Sequence, residues 1–251
     1  MNKKSHGKFF GITIFVLVIA MMLPVFAVNA LSEAASVDRA FGFNKAEMEG
    51  KSFVFYGDSI TAGLGVPDAD KRYINYLSEE FGFYAYNGAV SGASLTQVST
   101  GTNDIYSQLE ISQCLYRDAD YISIFLGTND FGMSRPLGTK DDAPGTDTVY
   151  ASLKNVLNII TEANPDAKIM LLTPLFRKDG GNDGFDKANG VGYTLADVRE
   201  AIKTVGAEYN CKVVDLTAVV DAGNYTSMLN DDKLHVREAG YRAMAECIKN
   251  S

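Results

Sequence analysis

Short apolar runs alternate along this chain with stretches of helical periodicity, and that alternation constrains its fold more than any other feature. The runs that predict strands cover residues 52–56, 83–86, 121–126, 168–173 and 212–216. The stretches that predict amphipathic helices cover residues 73–81, 105–116, 149–160, 195–205 and 241–248. Residues 121–126 form an almost continuous apolar run, which is typical of a strand covered on both faces. The pattern predicts an α/β domain in which helices cover both faces of a parallel sheet of about five strands.

Residues 1–30 have the organisation of a secretory signal peptide. Three lysines precede an apolar run over residues 9–28, and small residues follow at Ala27 and Ala30. This order predicts cleavage after Ala30, with Ala27 as the second site. About 20 apolar residues also suffice to span a bilayer, so an uncleaved N-terminal membrane anchor is the alternative. Cleavage would make the protein secreted or cell-surface, without stable insertion in the membrane.

The rest of the chain is predicted to hold one domain. Residues 31–50 resemble a linker or lead-in, and residues 51–251 carry the alternating pattern over a length sufficient for one sizeable core. The formal net charge is −8, with no basic stripe beyond the extreme N-terminus. Because phosphate binding needs clustered Lys and Arg, this charge argues against a nucleic-acid partner.

The cysteines indicate neither a metal site nor a disulfide framework. Cys114, Cys211 and Cys247 are widely spaced and form no Cys-x-x-Cys pair, which argues against structural zinc. Their odd number leaves at least one free thiol. A bond between Cys211 and Cys247 is one alternative, and buried apolar thiols are the favoured interpretation.

Ser59 lies where α/β folds commonly mount a nucleophile. Residues 57–61 (Gly-Asp-Ser-Ile-Thr) follow directly on predicted strand 52–56, which places this serine at a sharp exit from the sheet. A simpler interpretation is that Asp58 and Ser59 cap a helix that begins there. The two interpretations are compatible, since a helix N-terminus favours developing negative charge and leaves the Ser59 N–H free to donate.

His235 is the candidate for a histidine base. The sequence contains two histidines, and His6 lies in the predicted signal peptide. A lone histidine is more commonly a packed or surface residue. Here, however, Asp232 precedes it on a predicted turn, from which a carboxylate can accept the imidazole Nδ1–H. The adjacent Asp231 is the alternative partner, and the spacing favours Asp232.

Two residues that follow strand ends can stabilise an oxyanion. Residues 127–130 (Gly-Thr-Asn-Asp) come after predicted strand 121–126, and Asn129 offers a side-chain amide there. Asn is also common as a plain turn residue. Gly92 follows the second predicted strand, and a glycine N–H can approach a ligand closely. The sequence therefore supplies a nucleophile, a base with its carboxylate, and oxyanion donors.

The sequence lacks the residues and motifs that other enzyme chemistries would need. Gly63 and Gly65 lack the third glycine of a dinucleotide fingerprint, since Asp68 stands in its place, and no Gly-Lys-Ser/Thr phosphate loop occurs. A catalytic zinc site needs more histidines or clustered cysteines than the mature chain has. The long irregular stretches 131–147 and 174–193 begin at predicted strand ends, so we expect them to wall the substrate site.

Four segments of the chain resemble, in order, the blocks of the GDSL/SGNH hydrolase family. They are residues 57–61 (Gly-Asp-Ser-Ile-Thr), Gly92, residues 127–130 (Gly-Thr-Asn-Asp) and Asp232-x-x-His235. The resemblance covers essentially the whole predicted domain, and four blocks in order are far more specific than any one of them. One departure is Val236, where many members carry a proline that would favour the start of a helix.

The resemblance implies a flavodoxin-like three-layer α/β/α fold. It also implies that Ser59 is the nucleophile, that His235 is the base and that Asp232 is the partner of that base. The oxyanion hole that it implies consists of the Ser59 N–H, the Gly92 N–H and the Asn129 side chain. Such chemistry requires no metal and no cofactor.

The expected activity is that of a serine esterase, which hydrolyses small-molecule or glycan acyl esters through an acyl-enzyme. The family spans lipid esters, thioesters and acetylated sugars. Export and polar, glycine-rich loops favour a carbohydrate O-acetyl esterase, and a lysophospholipase or acyl-thioesterase is the alternative. A glycan-binding module without catalysis is a further alternative. The intact set of Ser59, Asn129, Asp232 and His235 argues against it, because binding alone needs no base paired with an acid.

Overall fold

A computed structural model describes residues 37–97, 103–179 and 186–251 of the chain. The predicted signal peptide, residues 1–30, lies outside these ranges, as does part of the glycine-rich stretch 174–193. Within the described ranges, no helix combines the length and the apolar character needed to cross a membrane.

The centre of the fold is a sheet of five parallel strands. The strands are β1 (Ser52–Gly57), β2 (Tyr84–Asn87), β3 (Tyr121–Phe125), β4 (Lys168–Leu172) and β5 (Lys212–Val214). Their order across the sheet is β2-β1-β3-β4-β5, and all neighbours are parallel. In register, Phe55 of β1 lies opposite Asn87 of β2, and Tyr56 lies opposite Ile124 of β3. This is the flavodoxin-like order, so the predicted fold class is confirmed.

Helices connect the strands and lie on both faces of the sheet. They are α1 (Lys45–Met48), α2 (Ser59–Ala62), α3 (Tyr73–Phe81), α4 (Ile105–Ile111), α5 (Gln113–Asp118), α6 (Thr128–Gly132), α7 (Val149–Ala163), α8 (Leu195–Glu208), α9 (Tyr225–Met228) and α10 (Glu238–Lys249). Short 3₁₀ turns occur at Ala69–Lys71 and Leu216–Ala218.

The alternating side chains of β1 divide the core into two layers. Phe53 and Phe55 pack with residues of α3 and α10 on one face of the sheet. Val54 and Tyr56 pack with residues of α7 and α8 on the other face. Successive side chains of a strand point to opposite faces, so a continuous apolar run fits a strand that is covered on both sides. The sheet is therefore buried between helices, as the apolar runs predict.

Local sequence signals fix the ends of two predicted helices. Helix α3 ends at Gly82, whose φ of 75° is a left-handed conformation that glycine adopts without a steric penalty. Helix α8 begins at a capping box, in which the Thr194 hydroxyl accepts the Asp197 N–H and the Asp197 carboxylate accepts the Thr194 N–H. Both boundaries agree with those predicted from the sequence.

Two predicted elements differ from the structure. The single helix expected over 105–116 is broken at Ser112 into α4 and α5. The Ser112 hydroxyl hydrogen-bonds the Tyr56 hydroxyl at 2.8 Å and donates to the Gln108 carbonyl, so a contact with the sheet stabilises the break. The last strand stops at Val214, earlier than expected, because the Asp215 carboxylate accepts the Thr217 N–H and starts a 3₁₀ turn.

Residues of the predicted lead-in pack against the domain from Arg39 onward. The Arg39 N–H donates to the Asn210 carbonyl at 3.0 Å, and the Arg39 carbonyl accepts the Ile169 N–H at 3.1 Å. The Phe41 ring lies 4.9 Å from the Tyr121 ring, and Met48 is fully buried. These contacts hold the segment at the edge of the sheet where the strands begin.

The three cysteines are all unpaired. Cys211 is buried, as expected, and burial raises the pKa of its thiol to about 12. The Cys114 thiol is exposed, so the expectation of buried thiols is wrong for this residue. No disulfide joins Cys211 to Cys247.

Candidate active site

Ser59 occupies the first position of helix α2, immediately after strand β1. The residue that caps this helix is Asp58, whose Oδ1 accepts the Ile60 N–H at 2.8 Å. The capping interpretation therefore applies to Asp58, and the Ser59 hydroxyl is left for another partner. Ser59 is only 8% exposed, at the edge of the sheet where the parallel strands end.

That partner is His235, and Asp232 completes a chain of hydrogen bonds. The His235 Nε2 lies 2.9 Å from the Ser59 Oγ. The other ring nitrogen, Nδ1, lies 2.6 Å from the Asp232 Oδ2. A carboxylate on Nδ1 fixes the proton there and leaves Nε2 as the acceptor that faces the serine hydroxyl. The contact between Ser59 and His235 joins residues 176 positions apart in the sequence.

The turn that carries His235 is held by the same carboxylate. The Asp232 Oδ1 accepts the backbone N–H groups of Leu234 and His235 at 3.0 and 2.9 Å. Lys233 adopts a left-handed conformation with a φ of 60°. Burial raises the pKa of Asp232, but the hydrogen bonds from His235 and Leu234 outweigh burial, and the pKa lies below its usual value. Asp232 is therefore ionised at neutral pH.

The neighbouring Asp231 points away from the imidazole. Its carboxylate pairs with the Arg237 guanidinium at 2.7 Å, and its side chain is fully exposed. Val236, which follows the histidine, is fully buried and pairs with Leu229 in a short antiparallel bridge. The turn thus directs Asp232 to the histidine, and Asp231 to the solvent.

The candidate oxyanion donors follow strands β2 and β3. Gly92 has a φ of 82°, and Val90 nearby donates its N–H to the Gly57 carbonyl at 3.0 Å, which holds this segment beside the end of β1. Asn129 lies in the first turn of α6, and its Nδ2 donates one hydrogen to the Ala93 carbonyl at 2.8 Å. The second Nδ2 hydrogen has no partner among the described residues.

Two backbone donors near the serine are also unpaired. Within the described ranges, neither the Ser59 N–H nor the Gly92 N–H donates a hydrogen bond to a protein group. Strands β1 and β3 are neighbours in the sheet, and the direction of the strand order reverses between them. The chain runs from β1 outward to β2 on one side and from β3 outward to β4 on the other. Open α/β sheets bind ligands at such a switch point, which lies here between Ser59 and Asn129.

Arg177 is a buried residue of this region that the sequence analysis missed. It is 5% exposed, and its guanidinium donates to the Thr128 carbonyl and hydroxyl at the start of α6. The other side of the guanidinium pairs with Asp179. Its positive charge also acts on the carboxyl of Asp58. The one available signal was its position just beyond β4, at the same edge of the sheet as Ser59 and Asn129.

Asp58 is a buried acid under the site. Burial raises its pKa to about 7, although the hydrogen bond from Ile60 and the charge of Arg177 lower it. An aspartate in an unfolded chain titrates near pH 3.9, about three units lower. Between these two values the folded protein binds a proton that the unfolded chain has lost. The free energy of unfolding therefore falls as the pH rises through this window.

We expect the variant Asp58→Asn to lose this pH dependence, since it keeps an acceptor for the Ile60 N–H and cannot ionise. Relative to wild type, the variant should gain stability between about pH 4 and pH 7, and the difference should level off above pH 7. Urea unfolding of both proteins across this range measures it. Parallel stability curves for the two proteins would show that Asp58 does not titrate in this window.

The two long loops contact each other and the turn that carries His235. The Gly190 N–H donates to the Ser134 hydroxyl at 3.0 Å, which joins the loop after β4 to the one after β3. The Lys178 N–H donates to the Lys233 carbonyl at 3.0 Å, inside the turn that carries His235. These contacts put the described parts of both loops at the edge of the sheet that carries Ser59. That they wall the substrate site stays a prediction.

The chemistry that this arrangement can perform is nucleophilic substitution at a carbonyl. A serine hydroxyl in contact with an imidazole, which is in turn oriented by a carboxylate, can be deprotonated as it attacks. Nearby unpaired N–H donors can hold the resulting negative charge. Among the described residues, no group of three or more His, Cys, Asp or Glu side chains is arranged to hold a metal ion.

Comparison with known proteins supports this interpretation of the chain. The sequence matches the model of the GDSL-like lipase/acylhydrolase family over residues 55–243, which is most of its length. No curated protein matches the sequence.

Several solved structures share the fold. A protein from Lactobacillus plantarum is 25% identical and has a TM-score of 0.67, with 81% of this chain and 96% of that chain covered. A possible lipase from Chitinophaga pinensis is 24% identical, with a TM-score of 0.62 and coverage of 80% and 96%. An acetyl-xylooligosaccharide esterase from Geobacillus stearothermophilus is 23% identical, with a TM-score of 0.57 and coverage of 80% and 93%.

Proposed function

Because the chain belongs to the GDSL-like lipase/acylhydrolase family, it is a hydrolase of ester bonds, and we propose that it acts as a serine esterase through a covalent acyl-enzyme. In this proposal Ser59 is the nucleophile, His235 is the general base and Asp232 orients and stabilises the imidazole. One observation carries the assignment: hydrogen bonds of 2.6 and 2.9 Å run without a break from the carboxylate through the imidazole to the serine hydroxyl.

The proposed reaction has two stages. The Ser59 Oγ attacks the ester carbonyl carbon while His235 Nε2 takes the hydroxyl proton. The tetrahedral intermediate collapses, the C–O bond to the alcohol breaks, and the imidazolium gives its proton to the leaving oxygen. Water then attacks the acyl-enzyme with His235 again as base, and the acid leaves as Ser59 recovers its proton. No step needs a metal or a cofactor.

The negative charge of each tetrahedral intermediate is assigned to three donors. They are the Ser59 N–H, the Gly92 N–H and the unpaired hydrogen of the Asn129 amide. The first two have no protein partner within the described ranges, and the bond from Asn129 to the Ala93 carbonyl fixes the amide plane. Donors that are already oriented when charge develops need no reorganisation at the moment of reaction.

We expect Asn129→Ala to lower kcat by about 10²–10³ while KM changes little, because the amide acts mainly when charge sits on the oxyanion. A residue that served only the turn would instead reduce stability by about 1 kcal/mol and leave turnover per folded molecule unchanged. Steady-state kinetics and thermal unfolding of the same purified variant separate these outcomes.

Asn164→Ala is a matched control for this variant. The Asn164 amide also donates to backbone carbonyls, those of Tyr116 and Ala119, both at 2.9 Å. It lies near the start of β4, at the opposite edge of the sheet from Ser59. The control should therefore lose stability and keep its kcat. A fall in kcat of the same size in both variants would contradict the role of Asn129.

For the substrate, we propose an acetylated carbohydrate. Export, which residues 1–30 predict, would bring the enzyme to extracellular glycans. The described parts of the two long loops carry polar groups such as Asn189, Ser134 and Thr139, which would suit a hydroxylated ligand. The fold is also that of an acetyl-xylooligosaccharide esterase.

A longer acyl ester is the second candidate, and one observation favours it. Leu64, Met133 and Val191 expose large apolar side chains. Leu64 closes the turn after Ser59, to whose carbonyl it donates its N–H at 2.8 Å, and Met133 caps the helix of Asn129. An apolar rim of this kind would suit a lysophospholipid or an acyl thioester.

A comparison of p-nitrophenyl acetate with p-nitrophenyl octanoate decides between the two candidates. The carbohydrate proposal expects kcat/KM to be higher for the acetyl ester, and acetate to be released from acetylated xylan or cell-wall glycan. A preference for the octanoyl ester, with release of fatty acid from a lysophospholipid or of a thiol from an acyl thioester, would replace it with the second candidate.

A glycan-binding module without catalysis is tested separately. A fluorophosphonate probe should label Ser59, because it reacts with serines that an adjacent base activates. Binding of glycan by a protein that neither hydrolyses esters nor reacts with the probe would establish the binding module in place of the enzyme.

A further inference from the structure

Asp130, which follows the candidate oxyanion residue Asn129, is fully buried and has no part in the reaction as described above. Both of its carboxylate oxygens accept hydrogen bonds from one short segment of the chain. The Oδ2 accepts the Leu95 N–H at 2.9 Å, and the Oδ1 accepts both the N–H and the hydroxyl of Thr96, at 2.9 and 2.8 Å. The carboxylate therefore holds, through three hydrogen bonds, the segment that follows Gly92.

Asn129 hydrogen-bonds the same segment at Ala93, the residue next to Gly92. Its Nδ2 donates to the Ala93 carbonyl, so two consecutive residues of α6 make four hydrogen bonds to residues 93–96. All four residues of that segment are fully or almost fully buried, whereas Gly92 beside them is exposed. Residues 93–96 therefore form a buried anchor directly beside Gly92, whose N–H has no protein partner within the described ranges.

From this geometry we propose that Asp130 is a positioning residue, which fixes the Gly92 N–H relative to the Asn129 amide so that both donors meet the same oxyanion. This inference rests on the proposed esterase function. The two donors come from different strand ends, and covalent connectivity alone does not set the distance between them. One hydrogen bond from Asn129 to Ala93 supplies part of this connection, and the Asp130 carboxylate adds three more at Leu95 and Thr96. A displacement of about 1 Å between such groups is enough to cost roughly 10²-fold in rate.

A purely structural role for Asp130 makes a different prediction. A buried carboxylate with three donors stabilises the fold wherever it lies, and its loss leaves those donors without partners. Stability would then fall, and every folded molecule would still turn over normally. The readout must therefore report on the tetrahedral state itself. A boronic acid serves, because Ser59 adds to its boron, the proton passes to His235, and the resulting anionic boronate occupies the oxyanion hole.

The principal variant is Asp130→Asn, which keeps the side-chain volume and one acceptor oxygen. Its amide N–H₂ takes the place of the oxygen that accepts the Leu95 N–H, so two donors face each other there. We expect kcat for p-nitrophenyl acetate and the affinity for phenylboronic acid to fall together by roughly 10- to 100-fold, with KM within about twofold of wild type. Active sites are counted by fluorophosphonate labelling. A lowered melting temperature with unchanged kcat and boronate affinity would overturn the proposal.

Val156→Ala is the matched control for loss of stability. Val156 is a fully buried core residue of α7, and its apolar side chain makes none of the hydrogen bonds that hold residues 93–96. Its truncation should lower the melting temperature and leave kcat and boronate affinity unchanged. If kcat and boronate affinity fell in this control as much as in Asp130→Asn, the effect of Asp130→Asn would reflect stability alone, and the proposal would fail.

A second pair of variants decides the matter if Asp130→Asn does not fold. Thr96→Val removes the hydroxyl that donates to Asp130 and keeps the shape, whereas Thr96→Ser keeps the hydroxyl. The proposal expects lower kcat and boronate affinity in Thr96→Val only, and equal values in the two variants would overturn it. Failure of the esterase function looks different, since wild-type protein would then show no hydrolysis that depends on Ser59.

Discussion

Replacement of Ser59 by alanine is expected to lower kcat by roughly 10⁶-fold, the scale seen when the nucleophile of such a triad is removed. Among the described residues, no other hydroxyl is hydrogen-bonded to His235, so under the proposed mechanism none of them can replace Ser59 as the nucleophile. The fold should be unaffected, because Asp58 rather than Ser59 caps helix α2. Hydrolysis of p-nitrophenyl acetate by the purified variant measures the effect, and its melting temperature checks the fold.

Ser78→Ala is a suitable control for the loss of a serine hydroxyl. The Ser78 hydroxyl donates to the Phe83 carbonyl at 2.8 Å in the loop after α3, away from the edge of the sheet that carries the site. This variant should keep wild-type turnover and react with a fluorophosphonate, whereas Ser59→Ala should do neither. Activity near that of wild type in Ser59→Ala would remove this serine from the mechanism.

The fold and the approximate place of the site are predictable from the sequence for one reason. Strands buried on both faces are apolar over nearly their whole length, so β1 and β3 can be recognised from composition alone. Because all strands of the sheet are parallel, residues that follow β1 and β3 must lie at the same edge. That Ser59 and Asn129 lie close together then follows without any knowledge of their side-chain contacts.

Features that depend on partners from distant segments are not predictable in this way. The break at Ser112 arises where a hydroxyl of α4–α5 meets Tyr56 of β1, and the periodicity of 105–116 contains no sign of it. Arg177 and Asp130 are likewise defined by contacts with Thr128 and with residues 95–96. In a sequence, a charged residue that becomes buried cannot be distinguished from a charged residue that stays exposed to solvent. Burial gives these residues their role, and burial is a property of the folded chain.

Replacement of Asp232 by asparagine is expected to lower kcat by about 10⁴-fold, although only one oxygen becomes a nitrogen. The asparagine Oδ1 can still accept the Leu234 and His235 N–H groups, so the turn should keep its shape. An amide that offers N–H to the imidazole Nδ1 favours the tautomer with its proton on Nε2. That nitrogen then cannot accept the proton of Ser59. Steady-state kinetics show the loss, and circular dichroism and thermal unfolding show that the fold persists.

Asp231→Asn is the matched control, since it makes the same chemical change and the same change in net charge at the adjacent position. Asp231 is fully exposed, and among the described residues its carboxylate pairs with Arg237 alone, so this variant should keep its turnover. Equal losses in the two variants would point to the general electrostatic field of the site rather than to the orientation of His235. A loss in Asp231→Asn alone would transfer the role to the other carboxylate. Loss confined to Asp232→Asn would tie the rate to the 2.6 Å contact with the imidazole.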